Sequence, residues 1–101
     1  MIMQYALKLH RDIEKQLARI PEKQRERLVQ TMRSLSEDPR PSGCVKLDGN
    51  IHRVRDGRYR IIYAIFDDEV VIIICKVARR TEATYRDVQK LLERARREIK
   101  E

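Results

Sequence analysis

Seven residues in the second half of the chain are of types that do phosphate chemistry: Arg53, Arg55, Arg58, Arg60, Arg79, Arg80 and Tyr85. Cleaving a phosphodiester without a metal requires cations around a pentavalent phosphate, a base for the attacking hydroxyl and an acid for the leaving oxygen. Arginine meets the first need, because its planar fork matches phosphate oxygens. It shuttles protons poorly, because its pKa lies above about 12. A tyrosine among cations has its pKa drawn down from about 10, which makes Tyr85 a candidate base. The same set also reads as a binding surface, with arginines holding phosphate and Tyr85 anchoring the last helix to a sheet. From the chemistry alone, binding is the favoured of the two.

Spacing sharpens this. Arg53 and Arg55 lie two apart, so an extended strand projects both from one face, with Val54 between them on the other. Arg58 and Arg60 repeat the step after a turn at Asp56-Gly57. Like charges on neighbouring strands repel, so a sheet face rich in guanidinium groups is built for a polyanion rather than for stability.

Other chemistries have weaker starting material. His10 and His52 are far apart in sequence and neither has a carboxylate cluster beside it; Asp67, Asp68 and Glu69 sit where a solvated hairpin tip is expected. No histidine neighbours a Ser or Cys nucleophile motif, and three glycines make no phosphate loop. No metal or other cofactor is expected. Cys44 falls in a Pro/Gly loop and Cys75 in an apolar run, without ligand spacing, and both read as reduced thiols.

The elements that must position the arginines follow from periodicity. A chain of 101 residues has room for one domain, residues 1–101. Met1 to Leu9 alternates as a strand, with Met3, Tyr5, Leu7 and Leu9 on one face. Asp12 starts a helix with Ile13, Leu17 and Ile20 on its apolar stripe. After Pro21 a second helix runs from about Glu22 to Glu37 with Leu28, Met32 and Leu35 aligned, and the pair forms a helical hairpin laid on something flat. The loop Asp38–Gly43 leads through Lys46 and Leu47 to a turn at Asp48-Gly49. Strands Ile51–Arg55, Tyr59–Phe66 and Glu69–Val77 follow, the last buried on both faces. From Thr81 the period becomes helical, with Thr81 or Thr84 as cap and a charged tail, ERARREIKE, expected to be solvated or disordered. The fold class is α+β: an N-terminal strand, a helical hairpin, an antiparallel meander of about four strands in the sheet, and a C-terminal helix. A net charge of +7 points to an anionic partner, nucleic acid first. No apolar run approaches the roughly 18 residues of a membrane span and no signal-type segment follows Met1, so the cytoplasm is the expected compartment.

The order of strand, helical hairpin, HRVRDGRYRIIYAI, DDEVVIIICKVARR and a closing TY before a helix resembles the RelE/ParE toxin superfamily over almost the whole chain. The resemblance implies the toxin of a type II toxin–antitoxin pair, with the RelE-type activity of a ribosome-dependent, metal-independent endoribonuclease. Such enzymes cut mRNA in the A site by attack of a 2′-hydroxyl on the adjacent phosphate. By position it implies Tyr85 as base, Arg60 on the scissile phosphate, Arg80 (Arg79 as second choice) at the leaving 5′-oxygen, and Arg53 and Arg55 stabilising the anion. Some RelE enzymes carry lysines at the last two positions. Lys46, Arg58 and Arg79 then guide RNA without chemistry. The implied partners are a cognate antitoxin, the ribosome and mRNA; the alternative branch, ParE-like, inhibits DNA gyrase and cuts nothing.

Overall fold

The computed structural model describes residues 4–79 and 88–100. Strand β1 (Ala6–Leu9) is followed by helices α1 (Ile13–Ala18) and α2 (Glu22–Leu35). Then come strands β2 (Val45–Asp48), β3 (Ile51–Asp56), β4 (Tyr59–Phe66) and β5 (Val71–Arg79), and helix α3 (Val88–Lys100). The strands form one sheet in the order β1-β5-β4-β3-β2. β1 lies parallel to β5, and the other pairs are antiparallel.

The helical hairpin lies on one face of this sheet. Ile13 and Leu17 of α1, then Ile20, and Leu28, Met32 and Leu35 of α2 pack with Val54, Ile61, Tyr63, Ile65, Ile72 and Ile74. Side chains of this size contribute about 1.5–3 kcal/mol each when fully buried. Pro21 is the N-cap of α2 rather than its first helical residue (ψ 146°), which turns the chain between the two helices. Side-chain bonds fasten the layer to the sheet: Thr31 donates to Asp56 at 2.8 Å and Arg27 pairs with the same carboxylate at 3.1 Å.

The second face carries a smaller core of Ile51, Ile62, Ala64, Phe66, Ile73 and Cys75, under Ala95 and the half-buried Leu92 of α3. Its charged tail is solvated as expected, and helical rather than disordered. The helix continues to Lys100, with Glu93, Arg94, Arg96 and Arg97 exposed along it. Solvation of one face does not prevent a helix whose other face has something to cover. Arg94 reaches Asp12 at 3.7 Å, tying α3 to the corner between β1 and α1. The expected caps Thr81 and Thr84, and the first residues of the expected strand, Met1 to Met3, lie outside the described residues.

Two further differences follow from tertiary pairing. Val45–Asp48 is a fifth strand, paired with β3 across the Asp48-Gly49 turn, where local signals read only a lead-in to the turn. The turn before β5 extends to Val70, whose φ of 55° is unusual for a β-branched residue, so the strand begins at Val71 and not at Glu69. Asp67 in this turn is bonded as well as exposed. It accepts from the Tyr5 hydroxyl at 2.6 Å and from Arg40 at 2.9 and 3.3 Å, which holds its carboxyl below the usual range. No described helix is long and apolar enough to cross a membrane.

Candidate nucleic-acid interface

The β3–β4 hairpin places the central arginines. A two-residue turn at Gly57, with φ 59°, sets Arg55 directly opposite Arg60, and Arg53 opposite Ile62. Paired residues share a face, so Ile51, Arg53, Arg55, Arg60 and Ile62 lie on the α3 side while Val54 and Ile61 enter the helix-side core. One face is therefore apolar where α3 covers it and cationic toward the hairpin tip. Arg53 is buried at 8% exposure, Arg60 is half-buried and Arg55 is exposed. Neighbouring strands are about 5 Å apart, so the opposed Arg55 and Arg60 present two guanidinium groups side by side.

A β-bulge decides what β5 adds. Tyr63 pairs with Ile74 but Ile62 pairs with Lys76, leaving Cys75 as the extra residue. Simple alternation from Ile73 would send Arg79 to the arginine face. The bulge reverses that. Lys76 and Ala78 fall opposite Ile62 and Arg60, while Val77 joins the helix-side core and Arg79 stands opposite Tyr59 on that side. Lys76 is the cation that sequence reasoning missed, because a bulge leaves no local signature in VVIIICKVARR. Ala78, with a single methyl, sits beside Arg60 where a larger side chain would crowd it.

The remaining sequence-derived residues separate. Lys46 pairs with His52, on the helix side of the sheet. Arg58 is exposed in the hairpin turn and lines a groove of about 360 Å³ with Gln24, Arg27 and Asp56. Arg80 and Tyr85 lie outside the described residues. The structure thus brings together Arg53, Arg55 and Arg60, adds Lys76, and sets Lys46, Arg58 and Arg79 on the other side. Tyr59 and Phe66 are both buried, so neither offers a ring on which a base can stack. His52 stacks on Tyr63 with ring centroids 5.9 Å apart, and its Nδ1 lies 2.9 Å from the Asn50 carbonyl. Burial pushes its pKa below 6.5, with Arg40 and Lys46 adding to the effect and the Asn50 bond opposing it. Among the described residues no group of three or more His, Cys, Asp or Glu side chains is arranged to hold a metal ion.

Known proteins share this fold. Residues 5–84 match the family model of the ParE toxin of type II toxin–antitoxin systems. The solved RelE of the archaeal RelE–RelB complex from Pyrococcus horikoshii is 31% identical, with a TM-score of 0.73 over 80% of this chain and 100% of that one. The chain belongs to the RelE/ParE toxin superfamily. It is a RelE-like toxin of a type II toxin–antitoxin system. A toxin candidate of Methanocaldococcus jannaschii, RelE1, is 28% identical over 90 residues, 84% of this chain and 99% of that protein. Free Escherichia coli RelE, with two arginines replaced by alanine, shares the fold: 22% identity and a TM-score of 0.68 over 96% of this toxin and 99% of that chain.

Proposed function

We propose that this toxin is an endoribonuclease that cuts mRNA in the ribosomal A site and so stops translation. The observation that carries the reading is the Arg55–Arg60 pair, set opposite each other with Arg53 two residues along the strand and Lys76 at the bulge, on one face of the sheet toward the hairpin tip. A phosphate seated among these guanidinium groups takes charge-assisted, bidentate hydrogen bonds from them. In the proposed reaction the RNA 2′-oxygen bonds to the adjacent phosphorus and the P–O5′ bond breaks. Tyr85 takes the proton from the 2′-hydroxyl, and Arg60 holds the developing charge on the phosphoryl oxygens. The leaving 5′-oxygen takes a proton from water while Arg80 stabilises its charge, and Arg53 and Arg55 hold Tyr85 toward its ionised form, the form that can accept the 2′ proton. The P. horikoshii, Mycobacterium tuberculosis and E. coli relatives have been solved with antitoxin partners. A cognate antitoxin and a cytoplasmic site of action belong to the same proposal.

Primer extension on mRNA translated by purified ribosomes tests it. Cuts inside A-site codons that disappear in Arg60→Ala, Arg80→Ala and Tyr85→Phe are expected; cuts that survive Tyr85→Phe move the base elsewhere. The matching family model is named for ParE, which keeps gyrase inhibition as the second reading. No cleavage on ribosomes or naked RNA, together with loss of gyrase supercoiling activity, establishes that reading instead.

A further inference from the structure

The first strand stops short, and what it leaves open is charged. β1 pairs with β5 only as far as Leu9 opposite Ile74, after which the edge of β5 runs on to Arg79 beside α1. Gln16 of α1 takes the place of a strand there, its side-chain carbonyl accepting the Val77 N–H at 2.8 Å. Beyond it lies an open groove of about 380 Å³, lined by Gln16, Arg19, Tyr59, Lys76 and Arg79 among others. Three of these are cations, and among the described residues no carboxylate lines it. The neighbouring groove, on the other side of Tyr59, differs in this respect: Asp56 lines it and pairs with Arg27 at 3.1 Å. Among the described residues, one of these two similar concavities has a carboxylate in its lining and the other has cations as its only charged groups. An uncompensated concave cluster attracts a polyanion backbone, because its walls concentrate the field.

We propose that this groove is a second phosphate-binding subsite, in which Arg19 and Lys76 hold RNA phosphates away from the scissile one. The proposal rests on the nuclease reading for its ligand, RNA, and not for its geometry. Lys76 links the two places, since it lines the groove and also stands opposite Ile62 on the arginine face. An RNA strand entering over Arg55 and Arg60 therefore continues around the edge of β5 into the groove. The phosphates belong either to the mRNA or to ribosomal RNA, and the chemistry of recognition is the same.

The test measures binding of the full-length toxin in two arms: a short single-stranded RNA made uncleavable by 2′-O-methylation, and ribosomes carrying mRNA. For Arg19→Gln/Lys76→Gln we expect about tenfold weaker binding. The slope of log K against log[salt] falls by about 1.4, at about 0.7 for each phosphate that is no longer neutralised. Gln16→Glu preserves the acceptor for the Val77 N–H, places an anion in the groove and weakens binding as well, while Arg27→Gln in the compensated groove changes neither quantity. Loss on naked RNA assigns the phosphates to mRNA; loss on ribosomes alone assigns them to ribosomal RNA. Unchanged affinity and slope in both arms, an equal loss in Arg27→Gln, or no binding by the unaltered toxin overturns the proposal. Because the oligonucleotide cannot be cut, a toxin that shows groove-dependent binding and no cleavage activity would sink the nuclease reading alone.

Discussion

Arg60 and Ile61 are neighbours on β4 that meet opposite demands. Ile61 enters the helix-side core and is fully buried, whereas Arg60 turns to the other face and stands opposite Arg55. The face under the hairpin is closed by α1 and α2 with residues from Val54 to Val77. On the opposite face, among the described residues, Leu92 and Ala95 of α3 pack over the smaller core, and the strands also carry arginines there. The contrast teaches how a chain of 101 residues divides its work. One well-packed face supplies most of the burial, so the other can tolerate charge repulsion that would undermine a thinner fold.

The sharpest way to break this comparison is at the shared boundary. Ile61→Ala should cost about 3–4 kcal/mol in urea unfolding, since it removes a fully buried side chain from the larger core. A cost below about 1 kcal/mol would mean that the helix-side face does not dominate stability. Arg60→Ala should reduce A-site cleavage about 100-fold, the usual effect of losing one donor to developing charge. It should change stability by less than about 1 kcal/mol, since the side chain is half-buried and stands outside both apolar cores. A large drop in melting temperature with cleavage unchanged would make Arg60 structural. Ala95→Leu tests how tightly α3 sits: at a fully buried position an added side chain should cost about 1–3 kcal/mol by thermal melting, and a neutral result would mean that the helix shifts freely.

The smallest effect concerns pH. His52 is held neutral by burial, with its pKa below 6.5, so the stability it confers is present above about 6.5 and is lost as pH falls toward the lowered value. Melting temperature should fall by less than about 4 °C through that window for this group, and His52→Gln should flatten the slope. An unchanged slope would place the acid sensitivity elsewhere, with Asp67 next in line because Arg40 and Tyr5 hold its carboxyl in the ionised form.

Much of the fold was legible because its signals are local. Leu28, Met32 and Leu35 recur at helical spacing, β4 spans Tyr59–Phe66 as its flanking turns require, and Val54 faces away from Arg53 and Arg55. The fifth strand was not legible, since VKLD has no pattern strong enough to stand without β3 beside it. The arginines were legible as a group, but not their division between faces. Alternation assigns Arg79 to the face of Arg60, and one inserted residue at Cys75 gives that face Lys76 and Ala78 instead.

By itself, then, the sequence determined most of the secondary elements, the hairpin turns and a cation-rich segment suited to phosphate, because each depends on residues within one or two turns of one another. Tertiary structure alone decided that Leu92 and Ala95 of α3 pack on the smaller core, which cations share a face, and that a charged groove opens where β1 runs out beside β5. These depend on pairing between segments distant in the chain. A one-residue change of register there reverses every side chain that follows, and no local pattern records it.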